Sequence, residues 1–435
     1  MNILLIGSGA REHAIARAIK RSPQDSQIAC FASHNNPGIM PLCNAYCIGS
    51  MQDSKAMLDF AKQNRIDFAI IGPEIPLSLG IVDCLKAIGI AAIGPTRRLA
   101  QIETSKGLAR EVLSKYQLPG IPLYQRFNQA CPQAERFLHQ LGEHYVIKAD
   151  GLMGGKGVKL SGEHLVNHSQ ALAFIDEIDG PFVIEEKVVG PEFSLLSFSD
   201  GRHCIHMPAV QDHKRAFIGD TGPNTGGMGS YSDADHSLPF LSQQDIDDAA
   251  AMNERAIQAM QKEWGEPYKG ILYGGFMKTK TGIKLIEYNA RFGDPEAINL
   301  LALLDSDFID ICQGIIEGRL DKVKAQFLAQ ASVCKYIVPE GYPDQPSKGQ
   351  VIDISQVTKL DRLYYAAVDQ LDDRLIMTGS RAIAVLGVGD TLAQAEQQAE
   401  ILANQIKGRV YHRPDIGTEQ LINQRIDLVS TIMQG

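Results

Sequence analysis

Short apolar runs set the rhythm of the first hundred residues. NILLIG from Asn2, QIACFA from Gln27, DFAIIG from Asp67 and AAIG from Ala91 alternate with helix-like stretches such as Ala14 to Lys20 and Ser54 to Asn64. Buried parallel strands read as continuous apolar runs and amphipathic helices as stripes of period 3.6. Their alternation predicts βαβ units and a parallel sheet up to about Ile102, with a ligand edge where the strands end.

After Glu103 the pattern changes. A helix ending near Tyr116 is followed by Pro-bounded segments, a strand YVIKAD, the Gly-rich run GLMGGKGV and a second apolar run, PFVIEE, from Pro181. This predicts a mixed α+β unit. From about Ala331 strands dominate (SVCKYIV, RLYYAAV, AIAVLGV), and a helix follows with Leu392, Ala395, Ala399, Leu402 and Ile406 on one stripe, so a small third domain is expected.

The length of 435 residues fits two to four domains. With 44% hydrophobic and 21% charged residues the balance is that of a soluble globular protein. A net charge of -9 opposes general nucleic-acid binding, which needs dense Lys and Arg patches. The opening MNILLIGSGAREHA is too short to span a membrane and carries no basic segment ahead of it, so a cytoplasmic location without membrane contact is expected. Eight scattered cysteines show no CxxC pair or zinc spacing, and are expected as thiols.

The first βα turn, Gly7-Ser-Gly9-Ala-Arg11-Glu12-His13, resembles a dinucleotide fingerprint, but Glu12 occupies the third glycine position and QIACFAS ends without an acid for a ribose. An NAD site is thereby disfavoured. A Gly turn and helix N-terminus that approach a phosphate-bearing small substrate remain.

In the central unit, Lys148-Ala-Asp-Gly151-Leu-Met-Gly154-Gly155-Lys156-Gly157 is no Walker loop, since Asp150 replaces its first Gly and Gly157 its Ser or Thr. Joining two strands, it can fold over triphosphate oxygens while Lys148 supplies charge from the strand. Backbone groups near Glu186 and Val188 can face an adenine edge, leaving Glu192 for ribose hydroxyls. In LIEYNAR, strand alternation puts Glu287, Asn289 and Arg291 on one face, with Ile286, Tyr288 and Ala290 behind. Glu287 and Asn289 can then hold Mg²⁺ against a nucleotide while Arg291 braces the transferring phosphoryl group. Asp294 before Pro295 reads as a helix cap. QDHKR (211–215) and the Gly/Asn/Pro-rich DTGPNTGGMG (220–229) read as a charged turn and a shaped binding loop.

Together, GSGAREHA, IIGPEIPL (70–77), VIKADGLMGGKGV, QDHKR, DTGPNTGGMGSY, IEYNARFGDPE and YHRPDIG are collinear over nearly the whole chain and closely resemble the glycinamide ribonucleotide synthetase family. The resemblance implies an α/β and α+β multidomain fold: an N-terminal Rossmann-like parallel sheet (1–103), a central ATP-grasp fold (104–330, with a lid at about 120–190) and a small C-terminal β-rich domain (331–435). It implies ligation of glycine to phosphoribosylamine in purine biosynthesis, with ATP as substrate and Mg²⁺ or Mn²⁺ as cofactor, through a glycyl phosphate.

Carried onto this chain, Lys106 and Lys148 resemble ATP phosphate ligands, Gly151 to Gly157 the lid, Glu185, Glu186, Val188 and Glu192 the adenosine pocket, and Glu287 with Asn289 the metal ligands. Arg291, Lys148 and Asp212 are the implied catalytic residues. Substrate contacts are implied for Gly9, Arg11, His13, Asn36, Gly38, Pro73, Glu74, Asp212, His213, Lys214, Asn224, Thr225, Gly226, Gly227 and Arg291. A transient contact with the enzyme that supplies the unstable amine is also implied. His34-Asn-Asn36-Pro-Gly38 departs from the family's PGNxG-type loop, and YYAAVDQ and TGSRAIAV stand in place of HAGT-like and GGRVL-like runs, so no contact is carried over in the C-terminal part. The rival readings are a bicarbonate-dependent ATP-grasp carboxylase, an NAD oxidoreductase and a nucleotide-binding protein without catalysis.

Overall fold

The computed structural model describes residues 1–153 and 157–434. Its first element is a five-stranded parallel sheet in the order Ala45–Ile48, Gln27–Ala32, Asn2–Ile6, Phe68–Ile71, Ala91–Ile93. The expected apolar runs are its strands, and Leu4, Leu5 and Ile6 are fully buried. Strand order reverses beside Asn2–Ile6, which places the Gly7 turn at the carboxyl edge beside the rest of the molecule.

The central unit holds two four-stranded antiparallel sheets. One runs Tyr124–Phe127, Phe182–Glu186, Tyr145–Ala149, Val158–Leu160, and the other Cys204–His206, Glu192–Asp200, Lys269–Thr279, Gly282–Asn289. Phe127, Phe137, Tyr145, Ile147, Phe182 and Ile184 give the first sheet and its two helices a small core of their own. Almost every other buried apolar residue belongs to one continuous core. Gln243–Trp264 crosses the second sheet as a helix whose start is fixed by a Ser242/Asp245 capping box and whose end is fixed by Gly265 in the left-handed region.

The C-terminal unit is not free-standing, contrary to the sequence reading. Its main sheet runs Gln211–Asp212, Gly229–Ser232, Ala331–Pro339, Ile383–Gly389, Leu363–Tyr365, with Val410–Tyr411 also on Ala331–Pro339. Two strands from the centre of the chain are thus welded to it, with Gly229 opposite Lys335. Local periodicity cannot reveal pairing across a hundred residues. Leu392, Ala395, Ala399 and Leu402 are buried as expected along the helix Leu392–Gln405, and a further helix, Glu419–Gln434, closes the chain.

Candidate active site

Lys148 projects from Tyr145–Ala149, directly ahead of the Gly-rich turn. Its Nζ lies 2.7 Å from Glu185 Oε2 on the neighbouring strand and donates to the Ile286 carbonyl at 3.3 Å. Arg110 holds the other side of the same carboxylate, at 2.7 Å through Nε and 3.1 Å through Nη2. All three side chains are buried. Burial pushes the Glu185 carboxyl up, but Arg110 and Lys148 outweigh it and hold it at about 2. Burial, with the charge of Arg110, draws the Lys148 ammonium below the ordinary lysine value against the pull of Glu185.

The carboxylate of Glu185, a residue expected at the adenosine pocket, anchors Lys148 and Arg110. Glu186 is likewise occupied: its Oε1 accepts from the Leu123 N–H at 3.0 Å and so fastens the edge strand. The N–H of Val188, one step past the sheet's edge, makes no hydrogen bond among the described residues. Lys106 opens the helix Lys106–Lys115 and donates to the Gly151 carbonyl at 2.7 Å, so both lysines and the root of the loop meet. Gly151 adopts φ +103° with open space where a Cβ would stand, and Gly157 packs on Met153. Gly154, Gly155 and Lys156 lie outside the described residues.

A cavity opens between the second central sheet and the welded strands, lined by Glu192, Asp212, Lys214, Tyr273, Ile286 and Glu287. Lys214 pairs with Glu192 at 2.9 Å, so Glu192 reaches a cation rather than standing free for a ribose. Asp212 Oδ1 is buried with no hydrogen-bond partner among the described residues. Burial and the nearby Glu296 push the Asp212 carboxyl well above its usual range. Asp212, at the strand's end, and Lys214, just past it, line this cavity, and His213 between them does not. His213 is buried, stacks on Tyr231 and bonds Asp220 at 3.2 Å, while its Nε2 has no hydrogen-bond partner among the described residues.

Glu287 stands on Gly282–Asn289 beside Asn289. Burial raises its carboxyl, but Lys214, Lys148 and Lys106 outweigh that and hold it ionised below the ordinary range. One carboxylate inside three ammonium groups suits a hard cation carried with phosphate, which needs few protein oxygens. No closed cage of three His, Cys, Asp or Glu side chains exists among the described residues.

The 287–291 segment departs from simple alternation in two ways. A bulge shifts the register between Gly275 and Phe276, and Ile286 turns to the cavity instead of packing behind with Tyr288. Arg291 lies beyond the strand's end, where Nη2 meets Glu103 at 3.0 Å and Nε lies 3.8 Å from Glu74. Its Nε is buried without a hydrogen-bond partner among the described residues. Burial disfavours its charge, but Glu103 and Glu74 hold its pKa above the ordinary arginine value. Asp294 is not a helix cap: the helix starts at Glu296 after Pro295, while Asp294 takes the Tyr336 hydroxyl at 2.6 Å and pairs with Arg381.

The N-terminal turn is closed from within. Glu12 Oε2 accepts the Gly9 N–H at 2.6 Å and Oε1 pairs with Arg11, so a carboxylate already fills the anion position at the helix N-terminus. Arg11 also donates to the Phe292 carbonyl at 3.2 Å. His13 Nδ1 accepts from the Tyr365 N–H at 3.0 Å, and buried Asn36 donates to the Ser8 and Tyr365 carbonyls while accepting from Gly38. Gly9, Arg11, His13 and Asn36 thus serve the turn and its contact with the C-terminal unit. Gly38 leaves no room for a Cβ beside His13, and Pro73 packs on Gly7. Of this group only Glu74 joins the cleft, through Arg291. Thr225 hydrogen-bonds Lys214 through both N–H and hydroxyl, shaping the loop, and Asn224 is exposed.

Sequence reasoning missed Glu103, Arg110 and Arg381. Arg110 carried a signal, a charge set among the buried positions Ala109, Val112 and Leu113 of its helix. Glu103 and Arg381 carried none.

Family models of phosphoribosylglycinamide synthetase match the chain in order: the N domain over 1–103, the ATP-grasp (A) domain over 104–297 and the C domain over 332–419. A phosphoribosylamine–glycine ligase of Methanobrevibacter smithii is 46% identical over all of both chains, and that of Methanocaldococcus jannaschii is 45% identical over 99% of this chain and all of its own. The crystal structure of phosphoribosylamine–glycine ligase from Thermotoga maritima superposes with a TM-score of 0.81 at 26% identity, covering 95% of this chain and 100% of that one. With the three domain models in sequence and full-length relatives above 40% identity, the chain belongs to the phosphoribosylglycinamide synthetase family.

Proposed function

We propose that this protein is an ATP-dependent ligase that joins glycine to phosphoribosylamine, giving glycinamide ribonucleotide, ADP and phosphate in purine biosynthesis. The observation that carries the reading at the site is a cavity lined by Asp212, Lys214, Ile286 and Glu287, with Lys148 on the Ile286 carbonyl and Lys106 on the root of the Gly-rich loop. A glycine carboxylate is a poor electrophile. Its oxygen attacks the terminal phosphorus of ATP, ADP leaves, and a glycyl phosphate forms. The amine of phosphoribosylamine then attacks the activated carbonyl, phosphate leaves, and the amine's proton is lost.

Lys148, fixed by Glu185, and Lys106, at the root of the loop, hold the phosphates, and Val188 offers its free N–H to the adenine edge. Glu287 and Asn289 would hold Mg²⁺ or Mn²⁺, which when bound would supply positive charge to offset the charge on the transferring phosphoryl group. Arg291, set rigidly by Glu103 and Glu74, faces the anionic end of the reaction. Asp212, in its ionised form, receives the amine's proton, and its raised pKa makes it a stronger base than an ordinary carboxylate.

Among the described residues no helix is long and apolar enough to cross a membrane. Our reading places the enzyme in the cytoplasm, receiving its unstable amine in a transient contact with the enzyme that makes it. The carboxylase alternative is disfavoured by the family match.

Measuring ADP formation with glycine and freshly generated phosphoribosylamine, omitting each in turn, tests the function. ADP release only when both are present is expected. Turnover with bicarbonate in place of glycine would overturn it.

A further inference from the structure

The guanidinium of Arg381, from the C-terminal unit, reaches the 226–227 turn that abuts Asp212. Its Nη1 donates to the carbonyls of Gly226 at 2.6 Å, Gly227 at 3.1 Å and Asp294 at 2.8 Å, and Nη2 lies 3.3 Å from Asp294 Oδ2. The group stacks over the Tyr336 ring at 4.5 Å, and the Tyr336 hydroxyl in turn donates to Asp294 Oδ1 at 2.6 Å. One side chain therefore ties together two backbone turns that no strand pairing joins. The first, Gly226–Gly227, abuts Asp212: a Cβ on Gly227 would stand 2.6 Å from Asp212 Oδ1. The second runs from Arg291 to Glu296.

We propose that Arg381 is a positioning residue for the amino-acid subsite, holding the 226–227 turn against the 291–296 turn so that Asp212 and Arg291 keep a fixed separation across the reacting carboxyl. The inference rests on the assignment of glycine as the substrate activated in this cleft. A planar fork with several donors and a face that stacks is needed to reach three carbonyls and a carboxylate at once. Lysine, a single-point donor without a face, cannot replace it. Gly226 has the matching constraint, since a Cβ there would stand 3.1 Å from Arg381 Cζ. The role lies outside the nucleotide's reach: Arg381 touches neither lysine that faces the phosphates.

The test is steady-state ADP formation by Arg381→Lys and Tyr336→Phe, with glycine and ATP varied separately and thermal unfolding recorded alongside. For Arg381→Lys the expected result is a loss in kcat/KM for glycine on the order of 100-fold, as displacement of a reacting group by about 1 Å produces, with KM for ATP within about twofold. Tyr336→Phe keeps the stack and removes only the bond to Asp294, so it gives a smaller change of the same kind. It also preserves the test should Arg381→Lys fail to fold. A truncated Arg381→Ala enzyme should regain glycine-dependent turnover with added methylguanidine but not methylamine. Folded variants with unchanged kcat/KM for glycine, or with a KM for ATP raised well beyond twofold, would overturn the proposal. Absence of glycine-dependent turnover in the wild-type enzyme would instead overturn the assignment of function.

Discussion

Lys148 Nζ and Glu185 Oε2 lie 2.7 Å apart in the interior of the first central sheet, and each is 9% or less exposed through its side chain. With Arg110 on its far side, Glu185 balances two cations that have no other carboxylate within bonding distance among the described residues. Glu185→Gln leaves both uncompensated. The expected cost is about 3–5 kcal/mol, read by chemical denaturation at neutral pH, with a raised KM for ATP because Lys148 loses its orientation. Since the folded carboxyl titrates at about 2, against an ordinary 4.5, its contribution is complete above 4.5 and is lost as pH falls toward 2. The gap between wild type and variant should therefore narrow in that acid window and nowhere above it.

Glu287 separates metal binding from nucleotide binding. Removing its charge takes away an oxygen ligand but relieves three lysines of a competing carboxylate. Glu287→Ala should abolish ADP formation, with a loss of at least ~100-fold, yet bind ATP in the presence of a chelator as tightly as the wild type or tighter. Isothermal titration with and without Mg²⁺ measures both. Undiminished turnover at low magnesium would remove Glu287 from the metal site.

How far the chain could be read in advance varies with distance along it. Apolar runs and stripes located the N-terminal sheet, because parallel strands and their helices are adjacent in sequence and each keeps its own period. The strand 282–289 was legible as a strand that carries Glu287 and Asn289. The bulge that turns Ile286 into the cavity was not, since it arises from register with Gly275 on the partner strand. Glu12 shows the opposite case: its departure from a third glycine disfavoured a dinucleotide, and the same side chain takes the Gly9 N–H inside the turn. His213 was read together with its neighbours in QDHKR, but the structure splits that motif between the cavity, lined by Asp212 and Lys214, and the interior. Arg381 joins turns more than eighty residues away, and nothing local marks it.

Burial sets a second pH dependence, near neutrality. His13 and His213 are both held well below the ordinary value of 6.5, His13 by burial and then Arg17, His213 by burial and then Arg413 and Arg425. In the unfolded chain each takes up a proton below 6.5; in the folded protein neither does until the pH is lower. Stability is therefore complete above that value and is lost as pH falls below it, by about 1.4 kcal/mol per pH unit for each histidine. Urea denaturation from pH 7.5 down to about 5.5 measures the slope, and His13→Gln should remove one histidine's share. A slope unchanged in that variant would mean that His13 is protonated in the folded protein.

Two glycines in one loop offer a matched test of the substrate side. Gly227 has φ +109°, and a Cβ there would stand 2.6 Å from Asp212 Oδ1 and 2.7 Å from Pro295 Cδ. Gly219, at the turn of the hairpin 215–224 just before it and at φ +71°, would meet nothing within 4 Å. Alanine at either site adds backbone strain of about 1–3 kcal/mol, so both variants should unfold at somewhat lower temperature. Only Gly227→Ala displaces Asp212. It should therefore lower kcat/KM for glycine on the order of 100-fold while Gly219→Ala leaves the kinetics unchanged, and the ATP dependence of both should follow the wild type. Equal kinetic losses in the two variants would show that loop strain, and not the position of Asp212, governs turnover.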